Sequence, residues 1–485
     1  MKNKILLIIS SIFLTLPMYI FLLGYLNIFV GVTSSIFLTV CIYRLIKNEK
    51  IPVKIELNKK NILVFLISLI LVIFWCYFSG IGSFSYQNVD FNVRNAVFRD
   101  LINYKWPIIF NFNDKVSSIV NYSSAGFVYY FSYFLPSALI GKIFGIGVGN
   151  VFLNLYSILI LFLIIFLIKN KFNKNMLFIT IFFILFSGLD IIFNINNIFN
   201  FNHLEWWNEI LQYSSNTTQV YWVFNQSIMI WLICILLFYL KKPSSILFVS
   251  SLGFLYSPFA TIGLIPVAIG FILKNRDKRV NLISYLKKNI GILEVINSIL
   301  ILVIYGSFYL SAESSISVNG FVFKYYEIWR IVIIYIIFVI VEFACYLKFI
   351  YKEYKKDILF IIIILELLLI PLYRMTPSND FCMRVSLGPL FIFMIYILDY
   401  LFKSKNKFNK NMIYLLLILG SFTGIHEIGR SIYTTFKYEP KIYLRDKQIY
   451  SIGNPKTEYG INLCNDQFYS KKYDEKFFFK YLVKK

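Results

Sequence analysis

The chain has 485 residues, of which 58% are hydrophobic, 19% aromatic and only 15% charged. That composition excludes an ordinary soluble fold and fits a polytopic membrane protein. The formal charge of +23 would suggest a nucleic-acid partner in a soluble protein, but here it is first a topology signal, because cytoplasmic loops collect Lys and Arg.

The first apolar run lacks a small-residue cleavage site and leads straight into a second run, so it reads as a retained span rather than a signal peptide. A helix crosses the hydrocarbon in about 20 residues, and about thirteen segments qualify. They lie near 5–23, 27–46, 62–79, 147–168, 176–194, 221–240, 246–257, 260–273, 290–310, 327–348, 357–372, 385–402 and 411–430. The expected class is therefore an all-α polytopic membrane protein.

Six basic stretches, KNEKIPVKIELNKK, KNKFNK, the Lys241–Lys242 pair, KNRDKR, YKEYKK and KSKNKFNK, belong in the cytoplasm by this rule. The N-terminus is then expected inside and the C-terminus outside, in a plasma (inner) membrane. Only an odd number of crossings fits between residues 80 and 169, so 124–144 and 147–168 cannot both span. The stretch AGFVYYFSYFLPSALIGKIFG carries Pro136, Lys142 and three glycines, and is expected as an interfacial helix. The run around LYSPFAT should leave and return as two half-helices broken near Ser257–Pro258. The six cysteines are scattered, with no CxxC and no metal-ligand spacing.

The polar material that remains gathers on the outer side, at 80–145, 195–220, 311–326, 373–384 and the tail 431–485. In VDFNVRNAVFRDLINYKW, Val93, Val97, Leu101 and Tyr104 share one helical face, with Asn95, Arg99 and Asn103 opposite, which predicts amphipathic helix lying on the membrane. Asp90 directly before it is either an N-cap, worth about 1 kcal/mol, or a functional carboxylate at headgroup depth.

The loop 188–226 holds Asp190, His203, Glu205, Gln212 and Tyr213 among Trp206, Trp207 and Trp222, a mixture suited to carbohydrate, although the tryptophans equally suit an aromatic belt. Asp190 ends a span, where an acid is expensive unless it faces water or a partner. In RMTPSNDFCMRVSLGPL, Arg374 and Arg384 sit where basic residues are least expected. They read either as a phosphate grip or as snorkelling side chains, with Asp380 as a helix cap. GIHEIGR places His426, Glu427 and Arg430 at the end of the last span, the latter two spaced as a helical ion pair.

The order of an acid, a helix with an Arg, a Trp-Pro break and a Tyr-rich segment closing on GKIFG resembles the first outer loop of the GT-C superfamily of membrane glycosyltransferases. A nearer resemblance is to bacterial multi-span proteins carrying QYSSNTT, YSPFATIGLIP and NDFCMR in this order; the likeness covers roughly residues 80–390. It implies a GT-C-like domain over 1–430, with catalytic outer loops at 80–145, 195–220 and 373–384, and an extracytoplasmic tail. It further implies an inverting transfer of a sugar from a polyprenyl-phosphate donor to a glycan, lipid or protein acceptor.

Under that resemblance Asp90 and Asp190 are the catalytic candidates, Arg384, Arg94 and His426 the donor-phosphate ligands, and Asn95, His203, Glu205, Gln212, Tyr213 and Asp380 the substrate-binding residues. Members of the superfamily often pair acids as DxD or ExD. Asn92 stands at the second position here, so a divalent cation stays an open expectation. Two other classes remain: a lipid-linked polysaccharide polymerase or ligase, and a flippase or transporter. The latter should show buried mid-span charges and repeat symmetry; Glu342 and Glu366 are the within-span acids, and no internal repeat is evident.

Overall fold

Apolar runs whose backbone groups must bond internally fold as helices, and helices dominate the computed structural model. It describes residues 4–53, 58–198, 202–208, 210–313, 319–375, 380–437 and 449–484. The tip of the third outer loop (376–379) and the tail residues 438–448 lie outside the described residues.

Helices α1 (Ile5–Tyr25), α2 (Ile28–Asn48) and α3 (Lys59–Tyr77) lead to a long loop containing α4 (Phe91–Asn103), α5 (Asp114–Val120) and α6 (Leu135–Phe144). Then follow α7 (Ile146–Phe172), α8 (Met176–Leu185), α9 (Asn216–Leu237), α10 (Pro243–Ser251), α11 (Pro258–Asn275), α12 (Leu282–Asn289) and α13 (Ile292–Tyr309). The last part comprises α14 (Ile328–Val339), α15 (Cys345–Tyr354), α16 (Ile358–Leu369), α17 (Asp380–Val385), α18 (Leu387–Lys403), α19 (Lys407–Lys437) and α20 (Glu458–Gln467). Each of the thirteen expected apolar segments carries a helix. Among the described residues, nine helices are long and apolar enough to cross a membrane, α14 and α15 counting as one with the π-turn between them. The segments at α8, α10, α16 and α18 carry shorter helices.

The expected fifth span, 176–194, shows why helix ends escape a reading from hydropathy. α8 stops at Leu185, not near 194, because its last carbonyls are taken by the start of α9. Asn216 Nδ2 donates to Phe183 O at 2.8 Å and Thr217 Oγ1 to Ile184 O at 2.7 Å, which satisfies the acceptors a helix terminus leaves open. The break between α10 and α11 falls at the expected place. Pro258 occupies the first turn of α11, and the Ser257 hydroxyl accepts from Ala260 N at 3.2 Å.

The expected non-spanning stretch contains α6, whose ten residues rise about 15 Å. Its Lys142 Nζ donates to the Ile102 and Tyr104 carbonyls, closing the end of α4. α4 itself departs from the expectation of a helix lying on lipid. Arg94, Asp100 and Ile102 are buried as well as Val97 and Leu101, with Ile102 against Gly141 of α6 and Asp100 under the tail. Arg99 donates to the Ile449 and Tyr450 carbonyls, both at 2.8 Å, and Ile452 N donates to Asp100 Oδ2 at 2.6 Å. Burial pushes the Asp100 carboxyl up to about 7.

The fold is also not purely helical. Strands β1 (Ile109–Asn111) and β2 (Ser124–Phe127) form a sheet with β5 (Tyr469–Ser470) of the tail, and β3 (Asn319–Phe321) pairs with β4 (Tyr373–Met375). Phe478 of FFFKYL packs on Phe21 and Phe308, and Lys484 N donates to Tyr25 O, so this stretch anchors the tail to α1 and α13.

The segments assigned outside meet at one end of the bundle. Asn88 donates to Tyr221 O, Tyr86 N to Thr435, Ser431 to Phe78 O, and Arg384 to Tyr130. The basic segments meet one another elsewhere: Lys241 N and Lys242 N donate to Glu49, and Asn275 to Leu240 O. Gly263 lets α11 press on α17, since a Cβ there would stand 2.0 Å from the Val385 carbonyl oxygen.

Candidate functional site

Two groups of polar side chains lie at the end of the bundle formed by the long loop. The first joins residues nearly 300 positions apart. Asp90 precedes α4 but does not cap it; its backbone N–H donates to Asn88 Oδ1 at 3.1 Å, and its carboxylate accepts from Arg94 Nη2 at 2.8 Å. The Asp90 side chain is 40% exposed whereas that of Arg94 is 5% exposed, so the carboxylate opens to solvent while the guanidinium does not.

Arg384, at the end of α17, donates from Nη2 to Asp380 at 2.8 Å and from Nη1 to the Tyr130 hydroxyl at 3.0 Å. Burial alone would lower its pKa; Asp380, then Tyr130, Tyr129 and Asp90, outweigh burial and hold it above its ordinary value. The Asp90 carboxylate thus lies within the electrostatic reach of Arg384, and Tyr129 lies in the field of both Arg94 and Arg384. Arg94 Nε and Nη1 and Arg384 Nε are buried donors with no hydrogen-bond partner. A buried donor left unmade costs about 1–3 kcal/mol, more when charged, so these atoms mark a place that an anion would satisfy.

The second group is centred on Glu427 of α19. Its Oε1 contacts His203 Nδ1 at 2.5 Å, and its Oε2 accepts from Arg430 Nη2 at 2.7 Å and Trp222 Nε1 at 3.3 Å. His203 Nε2 faces Glu205 Oε2 at 3.6 Å, and Glu205 also accepts from Gln212 Nε2 at 3.0 Å and Ser215 N at 2.8 Å. Asp190, 1% exposed, accepts from Ser187, Trp207 and Thr423 at 3.1–3.2 Å. Burial, with Glu205 adding, pushes its carboxyl up to about 6 against those hydrogen bonds.

These placements bear on several expectations. Asp190 is enclosed and triply hydrogen-bonded, not presented as a catalytic acid. His426 Nε2 faces Asn202 O at 2.8 Å, so it belongs with the second group and not beside Arg384. His203, Glu205 and Gln212 are buried, with Glu205 between the other two and His203 also on Glu427. Asn95 donates to Gln87 at 2.8 Å, and Tyr213 donates to Leu367 O at 2.7 Å inside the core. Asp380 positions Arg384. Arg374, on β4, donates to the Tyr326 hydroxyl. Among the described residues, no group of three or more His, Cys, Asp or Glu side chains is placed to hold a metal ion.

Tyr129 and Tyr130 carried no role in the sequence beyond belonging to a Tyr-rich stretch; only the turn after β2 aims one of them at Arg384. Glu427 was legible as a helical partner of Arg430, but not as the carboxylate that receives His203 from 224 residues earlier.

The His203 contact carries a pH dependence. Burial alone would lower the imidazole pKa; Glu427 and then Glu205 overcome it and push it up to about 9 from an ordinary 6.5. The folded state therefore binds the proton more tightly. The stabilisation is complete below about 6.5 and is lost as pH rises through about 9. Thermal unfolding in detergent should show a falling midpoint across that window in the native chain and a flatter one in His203→Gln. Equal slopes in the two proteins would contradict the assignment.

No protein-family model matches the chain, and no match was found among curated proteins or solved structures.

Proposed function

We propose that the chain is an inverting membrane glycosyltransferase that moves a sugar from a polyprenyl-phosphate donor to a glycan, lipid or protein acceptor on the extracytoplasmic face. The supporting observation is the meeting of a half-exposed carboxylate, Asp90, with two arginines, Arg94 and Arg384, that keep buried unpartnered N–H groups.

In this reading the acceptor hydroxyl gives its proton to Asp90 as its oxygen attacks the anomeric carbon. The bond from that carbon to the phosphate oxygen breaks, and the electron pair leaves with the lipid phosphate. Arg384 and Arg94 stabilise the growing negative charge by charge-assisted hydrogen bonds in a partly dry site. Tyr130 and Asp380 hold the Arg384 guanidinium in place. Asp90, the exposed acid, takes the base role in preference to the enclosed Asp190.

The test is donor binding. Arg384→Ala and Arg384→Lys should weaken binding of a polyprenyl-phosphate sugar roughly tenfold to a hundredfold, the worth of a hydrogen bond to a charged group, in protein that stays monodisperse. Unchanged affinity and turnover in both variants would remove Arg384 from the site.

A lipid-linked glycan transporter is the second reading, favoured by the buried within-span carboxylates Glu342 and Glu366. Movement of a labelled lipid-linked glycan between leaflets, with no covalent transfer, would decide for it.

A further inference from the structure

The two groups of polar side chains meet at one small cavity. It measures about 10 Å³ and is lined by Asn88 of the segment before α4, by Tyr221 of α9 and by Glu427, Arg430 and Ser431 of α19, with Ser79 and Tyr86 completing the wall. The Tyr221 hydroxyl and Arg430 Nε are buried and have no hydrogen-bond partner. Tyr221 is 4% exposed, and its hydroxyl lies within the electrostatic reach of Glu427 on the same wall. We infer that the cavity binds a single ordered water, which joins the segment carrying Asp90 to the Glu427 group.

The wall groups are fixed by bonds made around the cavity. Asn88 Oδ1 accepts from Asp90 N at 3.1 Å and Asn88 Nδ2 donates to Tyr221 O at 2.9 Å, which holds the segment before α4 on α9. Arg430 Nη2 donates to Glu427 Oε2 at 2.7 Å, and the guanidinium carbon stands 5.6 Å from the Trp222 ring centre, so this side chain is held from two sides. Ser431 Oγ gives its hydrogen to Phe78 O and keeps its lone pairs as acceptors.

The lining selects the occupant. A cavity of this size has room for about one water molecule. A cation would meet the Arg430 guanidinium and an anion the Glu427 carboxylate, whereas a neutral molecule that both donates and accepts suits each of them. Water accepts from Arg430 Nε, bonds the Tyr221 hydroxyl in either sense, and finds acceptors in Glu427 and Ser431. Buried waters typically make about three such bonds, to polar groups that otherwise lack partners. A buried N–H of a charged group is among the most costly to leave unpaired. The water thus ties α9 and α19 to the segment whose Asn88 holds the backbone of Asp90, and the two polar groups become parts of one hydrogen-bonded structure.

The sign of a stability change tests the inference. In reversible unfolding of the full-length protein in mixed micelles, Tyr221→Phe should lower the folded-to-unfolded ratio about fivefold, the worth of one ordinary hydrogen bond. In a dry cavity the same change would remove a hydroxyl that bonds nothing, and equal or greater stability in the variant would overturn the site. Arg430→Lys keeps a cation for Glu427 and deletes Nε. Because one water serves both side chains, the double variant should lose less than the sum of the two single losses; additive losses would exclude a shared water.

An experimental structure that resolves waters gives the second measurement. One water is expected within hydrogen-bonding distance of both Arg430 Nε and the Tyr221 hydroxyl, and its absence there would refute the inference. Neither measurement involves sugar transfer, so failure of the transferase proposal and failure of this one are separable.

Discussion

Asp90→Asn should lower sugar transfer by about 10²–10⁴-fold, the usual contribution of a positioned general base, while the protein remains folded and binds its lipid donor. The amide keeps the size of the carboxylate and an oxygen for Arg94, whose contact at 2.8 Å is therefore preserved as a hydrogen bond. What it loses is the capacity to accept a proton from the acceptor hydroxyl. Because the side chain is 40% exposed, little packing depends on it. Turnover of a polyprenyl-phosphate sugar by purified native and variant protein measures the effect, with gel filtration reporting the fold. Turnover within twofold of native would exclude Asp90 as the base.

Glu427→Gln should be the most destabilising single change at the end of the bundle formed by the long loop. Glu427 is 1% exposed and is the common partner of His203, Arg430 and Trp222. Removing one member of a buried charged group costs about 3–5 kcal/mol, because the remaining charges are left without compensation. The variant should also lose the pH-dependent component assigned to His203, since the largest influence raising that imidazole is the Glu427 charge. Combining Glu427→Gln with His203→Gln should cost little beyond either change alone, as expected for side chains acting as a unit. Reversible unfolding in mixed micelles reads these differences; additive losses would show that the two residues act separately.

What could be read from sequence follows a physical division. The break at Ser257–Pro258 was legible because a proline in the first turn and a serine cap are local signals. The failure of 124–144 to span followed from the parity of basic loops, a rule about the whole chain that needs no contacts. The end of α8 was not legible, since Asn216 and Thr217 set it from another helix. Nor was the work of Arg99 and Asp100, which hold the tail through residues 449–452.

The same division runs through the site. Asp90, Arg94 and Arg384 stood out as charges in places where charge is costly, and the structure brings these three together. Asp190 stood out for the same reason, and His203, Glu205 and Gln212 as polar groups suited to carbohydrate, but they hydrogen-bond within the fold. Residue type alone does not distinguish a polar group that awaits a ligand from one already paired across the fold. Exposure makes that distinction: the Asp90 side chain is 40% exposed, whereas Asp190, His203, Glu205 and Gln212 are all buried.

The most direct test is an experimental structure of the full chain with a polyprenyl phosphate bound. The phosphate is expected within hydrogen-bonding distance of the Arg384 and Arg94 guanidiniums, with the Asp90 carboxylate open to the side from which an acceptor would approach. A lipid phosphate found only among the basic segments, or one separated from Asp90 by the wall of α9, would contradict the proposed transferase site.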